Sequence, residues 1–383
     1  MIIIEKIGIA IFNFIYLFIK LVPTKNKVVM ISRQSDTKTL DFSLLEEKLT
    51  KMDKNIKIKI LCKKLKNGYS STMINKIKYV FHMFVQMYHI ATSKVVVLDS
   101  YCIVVSILKH KKELKIIQMW HSMGTMKKFG YAILDKEEGS KKQLAKTMKM
   151  HKNYDYIFAS SEAYKEHLAK GFNYKCDKIL TFPLPRIDLL KDKDYQKNKK
   201  NEIIKKYPIL KNKKNILYCP TFRKNEEKFE NALNDLISSI PLDKYNVILK
   251  LHPLSKVKVD IKKKGIILDN SYSTFDMLSI ADYVISDYSC IVYEAAIMNI
   301  PLYFYNFDME KYLNERGLAI DYYKELPGVI SKEADVIIES ITKKNYDYKK
   351  LKEFSNKYVV PTKNATQNIA NFVISLMKKS SNK

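Results

Sequence analysis

Short apolar runs alternate with longer amphipathic stretches along most of this chain, and that alternation limits the folds it can adopt. The first runs are Lys27–Ser32, Ile56–Cys62 and Lys94–Leu98, with helical patterns at Asp41–Met52 and Thr72–Ile90 between them. Strands that alternate with helices predict a parallel sheet with helices on both faces. We therefore predict an α/β fold.

The alternation occurs in two blocks, and the 383 residues suit about two domains. Residues 191–214 are mostly lysine, asparagine and aspartate, which is typical of a charged surface linker. We predict domains at 24–190 and 215–383, joined by this linker and facing a cleft. Strand-like runs in the second block include Val247–Leu251 and Tyr283–Ser286.

Residues 1–23 are strongly apolar, and we predict that they form a membrane-associating helix. The uninterrupted part, Ile7 to Ile19, is shorter than the roughly 20 apolar residues that span a bilayer. The segment lacks the basic start and small-residue cleavage site of a secretory signal. A helix lying in the membrane interface fits best, and a helix packed on the first domain is the alternative.

Lysine and arginine outnumber aspartate and glutamate by 68 to 40, a net charge of +28. A nucleic acid, an anionic membrane surface or a polyphosphate-like substrate would each suit this charge, part of which is ordinary solvated surface. The apolar start favours the membrane, so we expect a peripheral protein at the cytoplasmic face of the cell membrane. Five scattered cysteines without a CxxC pair agree with a reducing compartment and argue against disulfides and zinc.

Two histidines follow apolar strands directly, one in each block. His121 comes after Ile116–Trp120, and His252 comes after Val247–Leu251. Ligands of open α/β sheets bind beyond the carboxyl ends of the strands. One histidine can accept a proton from an attacking hydroxyl, and the other can hydrogen-bond a phosphate oxygen. The alternative for either histidine is that it only caps its strand. The remaining five histidines lie on helical or polar stretches and are interpreted as structural.

Several clusters suit phosphate binding. Lys127 and Lys128 follow a small-residue turn after His121, and Thr221 and Arg223 follow Pro220. Asp287–Cys290 precedes a predicted helix, whose free N–H groups attract anions, although Asp287 or Ser289 can equally be an ordinary N-cap.

One further arginine and the absence of cofactor-binding motifs bear on how phosphate is bound. Arg186 either contacts phosphate or pairs with Asp188. No dinucleotide fingerprint, P-loop, HExxH or paired CxxC occurs, so we expect no cofactor and no metal ion.

Together these residues resemble the CDP-glycerol glycerophosphotransferase family, which primes and polymerises teichoic-acid-like polyol-phosphate chains. The resemblance covers roughly residues 27–330. Its motifs are Trp120-His121-Ser122-Met123-Gly124-Thr125-Met126-Lys127-Lys128, Pro185-Arg186-Ile187-Asp188, Pro220-Thr221-Phe222-Arg223, Lys250-Leu251-His252-Pro253, Asp287-Tyr288-Ser289-Cys290, and Arg316-Gly317 with Asp321-Tyr322 and Glu325-Leu326-Pro327-Gly328. Cys290 stands where the family has a serine.

The resemblance implies a GT-B-like fold with a donor-binding C-terminal domain and an acceptor-side N-terminal domain. It implies that an acceptor hydroxyl attacks the β-phosphate of CDP-glycerol, or of another CDP-polyol, and that CMP leaves. His121 would be the base, with His252 as its catalytic partner. The predicted substrate-binding residues are Trp120, Ser122, Gly124, Thr125, Lys127, Lys128, Arg186, Thr221, Arg223, Lys250, Asp287, Tyr288, Ser289, Cys290, Glu294 and Asp321.

The predicted partners are the CDP-polyol, a lipid-linked saccharide acceptor and an anionic membrane surface, and not nucleic acid. A GT-B glycosyltransferase using a nucleotide sugar shares the fold and the phosphate-binding residues, and stays an alternative. A non-enzymatic basic module that binds membrane or nucleic acid explains the charge but not the two histidines. Glycerol versus ribitol, and wall polymer versus capsule, stay undecided. No extra domain for a polymer is evident, which favours a primase slightly over a polymerase.

Overall fold

The computed structural model describes residues 2–64, 72–223, 226–259 and 263–379. They form two compact units: unit 1 contains Met1–Ser122, Phe129–Asp188 and Thr362–Lys383, and unit 2 contains Met123–Lys128 and Leu189–Pro361. Met1 and residues 380–383, which the predicted domains include, lie outside the described residues. The predicted boundaries need correction, because residues 123–128 and 191–214 belong to unit 2 and the C-terminal segment belongs to unit 1.

Each unit contains a six-stranded sheet in which every pair of neighbours is parallel. The order is β2-β1-β3-β4-β5-β6 in unit 1 and β12-β11-β10-β7-β8-β9 in unit 2. The strands are β1 Lys27–Ser32, β2 Lys57–Cys62, β3 Val95–Leu98, β4 Lys115–Gln118, β5 Tyr156–Ala159, β6 Ile179–Thr181, β7 Lys214–Cys219, β8 Tyr245–Leu249, β9 Ile266–Leu268, β10 Tyr283–Ser286, β11 Leu302–Tyr305 and β12 Ile330–Ser331.

Helices connect the strands. They are α1 Ile2–Ile19, α2 Leu40–Met52, α3 Met73–Ala91, α4 Ile103–Ile107, α5 Lys142–Thr147, α6 Glu162–Phe172, α7 Ile187–Lys191, α8 Lys193–Lys206, α9 Glu227–Ser239, α10 Thr274–Met277, α11 Ile291–Ile297, α12 Met309–Glu315, α13 Tyr322–Glu325, α14 Ala334–Lys343, α15 Tyr348–Tyr358 and α16 Ala365–Lys379. Short 3-10 helices span Gly130–Ile133, Cys176–Lys178 and Pro208–Lys211.

The central strands are buried along their whole length, as strands covered on both faces should be. All six residues of β1 and all four of β3 are buried, and most are β-branched or otherwise apolar. In unit 2 the same holds for β8 and β11. The α/β prediction with parallel sheets is thus confirmed, whereas the predicted cleft stays a prediction.

The N-terminal segment is helical, as predicted. Asn13 fixes α1 in unit 1, because its amide donates to the Ile107 carbonyl at 3.0 Å and its side-chain oxygen accepts from the Lys109 N–H. Among the described residues, no helix combines the length and the apolar content needed to cross a membrane. The association of α1 with a membrane surface stays a prediction.

Candidate active site

In both sheets the strand order reverses direction at one point, and ligands of such sheets bind at that point. In unit 1 the reversal lies between β1 and β3, which are followed by Arg33 and Asp99. In unit 2 it lies between β7 and β10, which are followed by Pro220-Thr221-Phe222-Arg223 and by Asp287. The predicted motifs of unit 2 therefore start at a reversal point, and His121 follows β4, the strand beside β3.

The His121 ring has a defined protonation pattern. Its Nδ1 lies 2.8 Å from the Asp99 carbonyl oxygen, which can only accept, so Nδ1 carries the proton. Nε2 is then unprotonated and can accept a proton. Burial lowers the pKa of His121 to about 4, and the Asp99 carbonyl opposes this only partly. The ring is therefore neutral at pH 7, with the lone pair of Nε2 available to accept a proton.

Arg186 lies beside this histidine, held by a buried carboxylate. Its backbone N–H and Nε donate to Asp41 at 2.9 Å each, and its Nη2 also bonds Asp41 and reaches the His121 carbonyl oxygen at 3.5 Å. The structure pairs Arg186 with Asp41, a partner that neither sequence interpretation of this arginine named. Asp188 instead accepts from the N–H groups of Ala365 and Thr366 at the start of α16.

Asp99 is a candidate that the sequence analysis missed. Only 3% of it is exposed, and the Ser32 and Ser100 hydroxyls beside its carboxylate offset the effect of burial only in part. Burial raises the pKa of Asp99 to about 6. A signal was present in the sequence, because Asp99 directly follows the buried strand Lys94–Leu98 just as Asp287 follows β10.

Trp120 shapes the loop after β4. Its φ of 65° lies in the left-handed region, which is strained for a bulky residue. Its ring stacks on Phe129 at 4.8 Å and meets the edge of Phe172 at 5.0 Å. These contacts place Trp120 in the packing of unit 1, next to the His121 ring at 4.1 Å. Ser122 is half-buried at the end of this stretch.

The rest of the motif belongs to unit 2. Gly124 lies against the Tyr293 ring so closely that an added Cβ would be 2.4 Å from a ring carbon. The Thr125 hydroxyl donates to the Lys127 carbonyl at 2.6 Å, and the exposed Lys128 donates its N–H to the Gly317 carbonyl at 3.1 Å.

Lys127 points its ammonium towards the reversal point of unit 2. Nζ donates to the Thr221 hydroxyl oxygen at 3.3 Å and lies 5.6 Å from the Tyr312 ring centre. Burial lowers the pKa of Lys127 to about 8, against the attraction of Asp287. The structure thus brings together Lys127 and Thr221, two residues predicted to bind phosphate.

Arg223 and Asp287 form a buried ion pair beneath these groups. Arg223 donates to Asp287 at 2.8 Å, to Asp308 at 2.6 and 3.0 Å, and to the Thr221 carbonyl at 2.6 Å. Asp287 is fully buried and also accepts from the Thr221 N–H and hydroxyl. Most of the donors of Arg223 are thus occupied within the protein, so its geometry suits positioning of Thr221 better than direct phosphate contact.

Lys250 and His252 differ in whether their hydrogen-bonding groups are occupied within the protein. Lys250 is nearly buried and uses three hydrogen bonds of 2.7–2.8 Å to hold Asp269 and the Tyr272 carbonyl. His252 is exposed, and its Nδ1 accepts the Leu254 N–H at 3.2 Å. A neutral His252 ring therefore carries its proton on Nε2, the arrangement needed to donate to a phosphate oxygen.

The remaining predicted residues are distributed over unit 2. Cys290, not Asp287 or Ser289, occupies the N-cap position of α11, so the ordinary-cap alternative is not observed. Tyr288 and Glu294 are buried, and Ser289 is half-buried. Asp321 caps α13 by accepting from the Lys324 N–H. No group of three potential metal ligands occurs in the part of the chain that the structure describes, and metal independence stays a prediction.

Known proteins are similar to this chain in sequence and in fold. The chain is 33% identical over 361 residues to the teichoic acid ribitol-phosphate primase of Bacillus spizizenii, covering 92% of each chain. It is 32% identical over 308 residues to the teichoic acid glycerol-phosphate primase of Bacillus subtilis, covering 78% of each. A structure of the wall teichoic acid polymerase TagF has the same fold, with a TM-score of 0.75 at 20% identity, covering 98% of this chain and 94% of that one.

The CDP-glycerol:poly(glycerophosphate) glycerophosphotransferase family matches residues 13–375, which include every predicted site residue. The resemblance inferred from six motifs is confirmed by this match over nearly the whole chain. The chain belongs to the CDP-glycerol:poly(glycerophosphate) glycerophosphotransferase family.

Proposed function

We propose that this protein transfers glycerol phosphate, or a related polyol phosphate, from a CDP-polyol to a lipid-linked saccharide in teichoic acid synthesis. Membership of the family supports the reaction class. The two primases described above support a teichoic acid pathway, and one carries ribitol and the other glycerol in its name. Their identities to this chain are nearly equal, so the donor panel below includes both polyols.

The observation that carries this proposal is the protonation pattern of His121. A hydroxyl of the acceptor attacks the β-phosphorus of the donor, and its proton passes to Nε2 of His121. A new phosphorus–oxygen bond forms, the bond to the bridging oxygen breaks, and CMP leaves with that electron pair. The hydrogen bond from Nδ1 to the Asp99 carbonyl keeps Nε2 available for this role at every turnover.

Cationic groups of unit 2 would hold the donor phosphates. Lys127 presents an ammonium at the reversal point of the sheet, and His252 can donate from Nε2. The Thr221 hydroxyl donates its own proton to Asp287 and positions Lys127 by accepting from Nζ. Hydrogen bonds from fixed donors stabilise charge that develops on a leaving phosphate. The ion pair of Arg223 with Asp287 keeps Thr221 in place through three hydrogen bonds.

We further propose that α1 and α3 place the enzyme on the cytoplasmic face of the membrane. The rings of Phe12 and Phe84 stack at 5.3 Å and join the two helices. Both helices expose large apolar side chains, among them Ile4 at 74%, Phe14 at 60% and Phe81 at 67%. Monomeric soluble proteins rarely expose such contiguous apolar surface, and the net charge of +28 favours an anionic leaflet.

An assay of CMP release tests the reaction. The protein is incubated with a prenyl-diphosphate disaccharide and, in turn, CDP-glycerol, CDP-ribitol and several UDP-sugars. We expect CMP with at least one CDP-polyol, no turnover of UDP-sugars, and unchanged rates in EDTA. Mass spectrometry of the product then counts the units added. His121→Ala should lower kcat by roughly 10²–10⁴-fold, and no CMP from any CDP-polyol would refute the proposal.

A further inference from the structure

Unit 1 contains a second concave site, separate from the strand ends that carry His121. It is a pocket of about 530 Å³ whose lining includes Lys142, Lys146, Lys149, Lys152, Tyr131 and Tyr174. We refer to it as the lysine-rimmed pocket. Pockets of 300–1,000 Å³ are the usual size for a bound small molecule.

All the charged side chains that line the pocket are positive, apart from the titratable His151. Four lysines line it, and no acidic residue does. Asp135, the nearest acid along the chain, has a carboxylate oxygen that accepts the backbone N–H of Lys142 at 3.0 Å. A pocket lined by one sign of charge concentrates ligands of the opposite sign. The lining of this pocket therefore favours an anionic ligand.

The rim is held in a strained backbone. Lys149, His151 and Asn153 all have positive φ, between 47° and 74°. The Asn153 amide donates to the carbonyls of Val105 at 2.9 Å and Leu108 at 3.0 Å, and the Tyr131 hydroxyl donates to the Met150 carbonyl at 3.1 Å. Such conformations persist only where the surrounding structure enforces them. The rim lysines thus start from a fixed backbone, which lowers the entropy cost of binding.

The pocket adjoins the apolar helices. Lys142 and Lys146 stand on α5, and α5 packs against α1, which in turn packs against α3. Leu144, between these lysines, is 41% exposed. A cationic pocket next to an exposed apolar surface matches a ligand with an anionic head and a hydrocarbon chain.

We propose that the lysine-rimmed pocket binds the diphosphate and first sugar of the lipid-linked acceptor, with the hydrocarbon chain against α1 and α3. This inference rests on the proposed function. A bulk phospholipid headgroup needs only surface lysines, whereas this site is a pocket. The half-buried rings of Tyr131 and Tyr174 line it and provide apolar surface for a sugar.

Vesicle flotation without any donor tests the pocket. Neutral phosphatidylcholine vesicles are compared with the same vesicles carrying a small fraction of prenyl-diphosphate disaccharide, and with vesicles carrying phosphatidylglycerol at equal charge. Wild type should prefer the prenyl-diphosphate vesicles. Lys146→Gln/Lys149→Gln should lose roughly 10- to 30-fold in that affinity. The control Lys54→Gln/Lys57→Gln removes two exposed charges outside the pocket and should change nothing.

Thermal unfolding shows whether Lys146→Gln/Lys149→Gln is folded. If it is not folded, the variant Lys142→Gln/Lys152→Gln, which changes two exposed lysines of the same pocket, is used in its place. Equal binding to the phosphatidylglycerol vesicles, or equal losses in the control, would overturn the proposal. In the CMP assay the pocket variant should raise KM for the acceptor and leave KM for the donor unchanged. If wild type releases no CMP, the reaction proposal fails, while flotation still decides the pocket.

Discussion

His121 and Lys127 lie six residues apart in the chain and need opposite protonation states. The histidine must be neutral to accept a proton, and the lysine must be charged to attract phosphate. Burial lowers both pKa values, His121 to about 4 and Lys127 to about 8. Both groups are therefore in the required state between about pH 5 and 7.

The first prediction concerns the acidic side of the pH profile. A base with an ordinary histidine pKa would lose activity below pH 6.5, whereas His121 should stay neutral to about pH 4. We expect kcat/KM at pH 5.5 to stay within about twofold of its value at pH 7. Profiles of wild type and Asp99→Asn check this. A loss near pH 6.5 that persists in Asp99→Asn would contradict the assignment.

The second prediction concerns the alkaline side. Because the pKa of Lys127 is lowered to about 8, its positive charge disappears above that pH. KM for the donor should therefore rise above about pH 8. Lys127→Arg should remove this rise, since arginine stays protonated, and Lys127→Gln should show the raised KM at every pH. An unchanged donor KM in Lys127→Gln would exclude a phosphate contact.

The third prediction concerns the effect of Asp99 on how stability changes with pH. The pKa of Asp99 in the folded state is about 6, against an ordinary 3.8, so the folded protein binds more protons between these values. The free energy of unfolding should therefore fall as pH rises from about 4 to 6, on the order of 3 kcal/mol. Asp99→Asn should lack this fall, and Asp177→Asn, at an exposed carboxylate, should keep it. Urea unfolding at several pH values measures the difference.

At the scale of elements, the sequence predicts the strands of both sheets well, because continuous apolar runs bounded by polar residues mark buried parallel strands. Each strand-like run named in the sequence, from Lys27–Ser32 to Tyr283–Ser286, overlaps an observed strand. The pattern does not predict β12 or α12 to α15, which lie between β11 and α16. Nor does it indicate that Arg186 pairs with Asp41, since 145 residues separate them.

The turn after His121 is fixed by a contact that no local pattern shows. Gly124 lies against Tyr293 of α11, and the Tyr293 hydroxyl donates to the Thr125 carbonyl at 3.2 Å. We predict that Gly124→Ala destabilises unit 2 by about 1–3 kcal/mol, because overpacking must displace the ring. Tyr293→Leu combined with Gly124→Ala should recover part of that loss. A double-mutant cycle in urea measures the coupling, and simple additivity would exclude the contact as the cause.

For the whole molecule, the division into domains differs most from the sequence prediction. The linker was predicted from local composition, because residues 191–214 are rich in lysine. They form α8 and a short 3-10 helix instead, within unit 2. The last segment returns to unit 1, where Asp188 accepts the first N–H groups of α16. Such a return depends on tertiary packing that periodicity alone does not encode.

This return gives the last prediction. Four large apolar side chains of α16, Ile369, Val373, Leu376 and Met377, are at most 3% exposed, and the helix packs on α2 and β3. Burial of such a side chain contributes about 1.5–3 kcal/mol, so removing all four approaches the 5–15 kcal/mol that stabilises a whole domain. A chain ending at Pro361 should therefore lose amide protection in β1, β3 and α2 by hydrogen exchange, while β7, β8 and β10 stay protected. Adding the peptide 362–383 should restore it. Full protection of β3 in the shortened chain would show that unit 1 folds without its C-terminal helix.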